Sequence, residues 1–176
     1  MHLQENRLNA QKHSFAPVVD ANTRLLILGS LPGDASLAQQ QYYAHPQNRF
    51  WHLLSDVFEI KLVELSYEAK LACLLQLGIG LWDVVASAQR QGSLDSQIRA
   101  HQQNDLPSLI ATLPQLELIA FNGATAAKIG GKIMASCGDT HSHIALPSSS
   151  PAYTLGYVQK LEQWKNLRAS TCSGGS

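Results

Sequence analysis

No apolar run in this chain approaches the about 20 residues that a bilayer-spanning helix needs. The opening residues, MHLQENRLNAQKHS, carry no apolar h-region of a secretory signal. Both absences favour a cytoplasmic protein without a membrane partner. Cysteine is scarce: Cys73, Cys137 and Cys172 are the three, and no two form a C-x-x-C pair. That argues against a disulfide framework and against a zinc or iron–sulfur cluster built from cysteines. No metal and no cofactor is expected. Charge is sparse as well, with 13 basic and 13 acidic residues and a formal net charge of zero. A strongly basic, salt-dependent DNA-binding face is therefore not expected. A protein that touches few phosphates, through backbone amides and helix amino termini, remains compatible. There is no G-x-x-x-x-G-K-[ST] loop and no full G-x-G-x-x-G fingerprint, which weakens a small-molecule nucleotide-binding reading. There is no G-x-S-x-G elbow either, which weakens a serine hydrolase using Ser30 or Ser149.

What is present fits one domain. A chain of 176 residues with 45% apolar content can bury a single core. Residues 1–14 read as a loose arm, 15–168 as the domain and 169–176 as a Gly/Ser-rich disordered tail. Apolar runs predict strands at about Arg24 to Leu28, Gly80 to Val85, Leu116 to Phe121 and His143 to Leu146. Between them, helical spacing predicts helices from near Asn48, over Tyr67 to Leu77, from a cap at Asp105 through Thr112, over Ala124 to about Ala135, and from about Tyr153 to Leu167. Gly130-Gly131 is expected to weaken or bend the fourth of these helices. The last is expected to put Leu155, Val158, Leu161 and Trp164 near one face. Strands alternating with helices predict a three-layer α/β/α fold around a central, mostly parallel four-stranded sheet. Its carboxyl edge should gather the loops 29–48, 83–95, 122–123 and 147–152, which hold the unusual polar residues.

The most informative stretch is RLLILGSLPGDASLAQQQYYAHPQNRFW, Arg24 to Trp51. A buried strand runs into the turn Gly29-Ser30-Leu31-Pro32-Gly33, and a polar, aromatic segment follows. The turn alone is weak, but the string Ala44-His45-Pro46-Gln47-Asn48-Arg49-Phe50-Trp51 is specific. Together they resemble the first motif of the uracil-DNA glycosylase superfamily, closest to its mismatch-specific branch. Most branches carry Asp or Asn before the turn proline, where this chain has Leu31. An apolar residue there, with Gln-Tyr-Tyr upstream, resembles the hypoxanthine-DNA glycosylase branch. Leu146-Pro147-Ser148-Ser149-Ser150-Pro151 resembles the superfamily's minor-groove loop, with Leu146 where the family's electrophilic His or Asn stands.

The resemblance implies a monofunctional glycosylase that removes a deaminated base, foremost hypoxanthine, from a nucleotide flipped out of double-stranded DNA. The alternative is a uracil or G:T/G:U mismatch enzyme. A non-catalytic DNA-binding domain is a further reading. A monomer is expected. Asn48 is the candidate for positioning water, since an amide offers both acceptor and donors; it is equally suited to cap a helix. Tyr43 is the candidate to stack on the base. Ser30 can donate to base or sugar, or cap its turn. Asp83 can accept the N1–H of hypoxanthine, or serve as a cap. Asn122 is a further pocket candidate, although its Asn-Gly dipeptide also makes an ordinary turn. His45 and the loop Pro147, Ser148, Ser149 and Ser150 are candidates for DNA contact, the loop through short side chains and free amides. No lysine lies in the motif segments to form a Schiff base.

Overall fold

The computed structural model describes residues 11–89, 93, 95 and 99–168. The first ten residues of the expected arm, and the expected tail, lie outside the described residues. In chain order the strands are β1 (Gln11–His13), β2 (Leu25–Gly29), β3 (Ile79–Asp83), β4 (Val85–Gln89), β5 (Arg99–Gln103), β6 (Leu118–Asn122) and β7 (Ser142–Leu146). The helices are α1 (Asp34–Gln39), α2 (Phe50–Phe58), α3 (Tyr67–Gln76), α4 (Leu106–Ala111), α5 (Ala124–Cys137) and α6 (Tyr157–Trp164).

The main sheet has the order β3-β2-β6-β7 and is parallel throughout. Every residue of β2 and β6 is buried, as a parallel strand covered on both faces requires. The period of two divides their side chains. Leu25, Ile27, Leu118 and Ala120 join a core with Phe50, Leu53, Leu54, Leu74 and Trp164, under α2, α3 and α6. Leu26, Leu28, Ile119 and Phe121 join a second core with Leu106, Ile110, Ala126 and Met134, under α4 and α5. These are the three expected layers.

Ser66 caps α3 through the Ala69 N–H, and Asp105 caps α4 through the Ser108 N–H. Helix α5 runs through Gly130-Gly131 rather than stopping there. A Cβ on Gly130 would sit 2.2 Å from Phe121 Cε1, so this glycine lets α5 approach β6. The expected face of α6 is partly wrong. Trp164 is fully buried, but Val158 is 71% exposed.

A second, three-stranded antiparallel sheet, β1-β4-β5, corrects the reading of two segments. Gln11–His13 is a paired strand, so it does not belong to a loose arm. Strand β3 ends at Asp83 rather than at the expected Val85, and Val85 opens strand β4, which runs to Gln89 through residues expected in a polar loop. Chain direction changes after Asp83, where Val84 and Val85 N–H donate to the carbonyls of Gly29 and Ser30. Asn104 Nδ2 then donates to the Asp83 carbonyl at 2.7 Å and ties this sheet to the end of β3.

Candidate active site

The carboxyl ends of the parallel strands carry the site. Chain order reverses across β2, whose neighbours are β3 and β6, and a crevice opens at such a switch point. A cavity of about 440 Å3 lies there, within the range of about 300–1,000 Å3 typical of ligand sites. Ser30, Tyr43, His45, Asn48, Asp83, Asn122, Ser148, Ser149 and Ser150 all line it. Pro147 does not; its carbonyl accepts from Trp164 Nε1 at 2.9 Å and anchors the loop to α6.

The floor is built around Gly29. A Cβ there would lie 2.6 Å from Asp83 Oδ1 and 3.1 Å from Tyr43 Oη. Only a glycine at the end of β2 lets both side chains cross the strand. Tyr43 takes a left-handed backbone (φ 56°) and stacks on Phe50 with centroids 3.7 Å apart and planes 18° apart. Its hydroxyl is buried and makes no hydrogen bond of good geometry among the described residues. Burial, and then the Asp83 carboxylate, push its pKa well above that of an ordinary phenol. The nearby Asn122 carboxamide offsets part of that rise. Tyr42 is a structural neighbour, packed edge-on against Phe15 and donating to the Ala16 carbonyl at 3.0 Å.

Asn48 sits where the motif enters α2. Its Oδ1 accepts from the Phe50 N–H at 3.0 Å, so the side chain holds the helix start while lining the cavity. His45 shapes the preceding turn. Its Nδ1 accepts from the Gln47 N–H at 3.1 Å, and its carbonyl accepts from the Asn48 N–H.

Opposite stands the Pro-Ser loop, held by Asn122. Asn122 Nδ2 donates to Ser149 Oγ and Oδ1 accepts from the Ser149 N–H, both at 2.9 Å. The Ser149 carbonyl takes the Arg49 N–H at 3.0 Å, joining this loop to the first motif. Most amides of this loop are engaged, contrary to the sequence-based expectation. Those of Ser149, Ser150, Ala152 and Tyr153 all have partners inside the loop or on Asn122.

Asp95 escaped sequence reasoning. It lines the cavity and accepts from Ser30 Oγ at 2.6 Å. A single acid in a polar loop has no sequence pattern that announces it. The Ser30 hydroxyl is thus directed to Asp95. Leu31, at the turn position where most of the resembled family carries a polar residue, is buried at the cavity wall.

Fold and cavity together define an α/β protein with a cavity at the carboxyl edge of a parallel sheet, lined by an aromatic ring and carboxylates. The family model described as the uracil DNA glycosylase superfamily matches residues 16–169. The chain belongs to that superfamily. It is similar to a hypoxanthine DNA glycosylase of Methanosarcina acetivorans, 40% identical over 154 residues, 88% of this chain and 96% of that protein. It is also similar to a hypoxanthine DNA glycosylase of Methanosarcina barkeri, 43% identical over 113 residues, 64% of this chain and 72% of the relative. A solution NMR structure of a candidate uracil DNA glycosylase from M. acetivorans superposes with a TM-score of 0.80 at 39% identity, covering 90% of this chain and 96% of that one.

Proposed function

We propose that this protein is a monofunctional DNA glycosylase that hydrolyses the N-glycosidic bond of hypoxanthine in double-stranded DNA. The observation that carries the reading is the cavity floor, where Tyr43, backed by Phe50, lies beside the Asp83 carboxylate over Gly29. The names of the two Methanosarcina relatives support the substrate.

A base inside a duplex is out of reach of such a cavity, so the nucleotide is flipped into it. The flat Tyr43 ring receives the base. Asp83 accepts the N1–H that distinguishes hypoxanthine from adenine. Asn48 orients a water at the anomeric carbon. As the C1′–N9 bond breaks, its electron pair leaves with the base and C1′ becomes oxocarbenium-like. The water then adds to C1′ and releases a proton to solvent, and the departing base anion takes one up from solvent. Such a reaction needs positioned water and charge stabilisation more than a strong nucleophile. Among the described residues lining the cavity there is no lysine to form a Schiff base, so the reaction ends at the abasic site.

Uracil is the second reading, because its N3–H is also a donor that Asp83 can accept. Labelled duplexes carrying hypoxanthine, uracil, xanthine or a G·T mismatch, incubated with the protein and then treated with alkali, separate the readings. Breaks at hypoxanthine are expected. Breaks at uracil alone overturn the substrate, and no breaks at any lesion overturn the glycosylase reading.

A further inference from the structure

The Pro-Ser loop turns its polar groups in a particular way. Ser150 N–H donates to Ser148 Oγ at 3.1 Å, and Ala152 N–H donates to Ser150 Oγ at 3.2 Å. A hydroxyl that accepts through a lone pair keeps its own hydrogen to donate. Ser148 and Ser150 therefore retain O–H donors beside the cavity they line. The Ser149 and Ser150 amides are already engaged, and proline has no N–H, so what this loop offers an anion is mainly these neutral hydroxyl donors. Neutral donors alone are weak phosphate ligands; charge supplies most of the binding to a DNA backbone.

Positive charge lies directly behind and beside this loop. Lys160 of α6 is 3% exposed, and its Nζ donates to the Ser150 carbonyl at 3.1 Å. The ammonium also lies 5.5 Å from the ring centroid of Tyr153. Arg49 is exposed and bonds the loop through its backbone. Burial first, and the Arg49 charge second, hold Lys160 below the ordinary lysine pKa. Among the described residues neither cation has a carboxylate partner. Asp56, the acid on α2, takes its hydrogen bond from the Tyr157 hydroxyl. A buried ammonium beside a like charge is costly until an anion arrives.

We propose that Arg49 and Lys160 form the cationic half of a subsite for one DNA backbone phosphate, completed by the Ser148 and Ser150 hydroxyls. The proposal rests on the glycosylase reading and adds to it the residues that supply charge in a chain of zero net charge. Arg49 pairs with the phosphate directly. Lys160 acts from behind the loop, by its field and by drawing the Ser150 carbonyl away from the anion.

The test is fluorescence anisotropy on a labelled duplex across a range of salt, with hypoxanthine excision followed in parallel. The proteins are the full chain, Arg49→Gln, Lys160→Gln and Lys160→Arg. Arg49→Gln should reduce the slope of log K against log salt by about 1, with equal loss on damaged and undamaged DNA. Lys160→Gln should weaken binding several-fold at low salt, and Lys160→Arg should restore most of it. An Arg49→Gln protein with the wild-type slope overturns the subsite. So does a folded Lys160→Gln protein with wild-type affinity. Arg49 is exposed, so its variant decides the matter even where Lys160→Gln fails to fold. The two readouts are separate: excision by the wild type with unchanged slopes in the variants refutes the subsite alone, whereas no excision by the wild type refutes the reading beneath it.

Discussion

Asn122 and Ser149 hold each other by two reciprocal hydrogen bonds of 2.9 Å, one from each end of the Asn122 carboxamide. Both residues are buried, Ser149 to 1% exposure. This pair fixes the Pro-Ser loop against the end of β6. Asn122→Ala removes one partner and leaves a buried amide and hydroxyl of Ser149 unsatisfied. Losing such partners costs about 1–3 kcal/mol. Denaturant unfolding should show that loss, and duplex affinity should fall with it. An unchanged unfolding midpoint contradicts the assignment.

Gly29 stands between two side chains of the cavity floor. Gly29→Ala places a methyl 2.6 Å from Asp83 Oδ1. Overpacking of this kind costs about 1–3 kcal/mol, and here the displaced groups are Asp83 and Tyr43. Excision should drop at least about tenfold, as misplaced groups do in a positioned reaction. Wild-type rates in Gly29→Ala would mean that Asp83 and Tyr43 need not sit where the structure places them.

The two glycines of α5 should respond in opposite directions. Gly131→Ala meets nothing within 4 Å. It should stabilise the fold by about 0.5–1 kcal/mol, through helix propensity. Gly130→Ala meets the Phe121 ring and should destabilise by about 1–3 kcal/mol. Paired thermal melts check the contrast, which propensity alone would not produce.

Alkaline pH should destabilise the protein in a defined window. Burial first, and then the charge of Asp83, raise the pKa of Tyr42 and Tyr43 in the folded chain. Unfolded phenols titrate near pH 10. Above that pH the unfolded chain binds fewer protons than the folded one, so stability falls as pH rises. The loss approaches about 1.4 kcal/mol per pH unit for each phenol held neutral. Unfolding measured between about pH 9 and 11 should show the decline, and Tyr43→Phe should reduce it. A Tyr43→Phe protein with the wild-type decline would contradict the assignment to this phenol.

Much of the architecture was legible because it is written locally. Leu25 to Leu28 is a short apolar run stopped by Gly29, and its burial on both faces follows from that pattern. The loops of the cavity were legible because they begin where the parallel strands end. The second sheet was not, because β1, β4 and β5 are short and carry Gln, Ser and His. Their pairing is set by distant contacts, such as Gln11 with Ser87 and Asn104 with Ser14, which no periodicity reveals. Asp95 and Lys160 were hidden for the same reason. Their neighbours in space, Ser30 and Ser150, are not their neighbours in the sequence that would mark a motif. The apolar spacing of α6 was misleading at Val158, which faces outward while Trp164 packs on Phe50.

The account depends most on Asn48, which lines the cavity while its Oδ1 holds the Phe50 N–H. The direct measurement is single-turnover excision of hypoxanthine from a duplex by the wild type, Asn48→Ala and Asn48→Asp, with duplex affinity and unfolding measured on each. Asp keeps the acceptor for the Phe50 N–H but lacks the amide donors. Rates should fall at least about 100-fold in Asn48→Ala, with affinity near that of the wild type. Asn48→Asp should keep the bond to the Phe50 N–H and normal unfolding. Excision by a folded Asn48→Ala protein at the wild-type rate would contradict the central claim and leave Asn48 with only its turn bond to the Phe50 N–H.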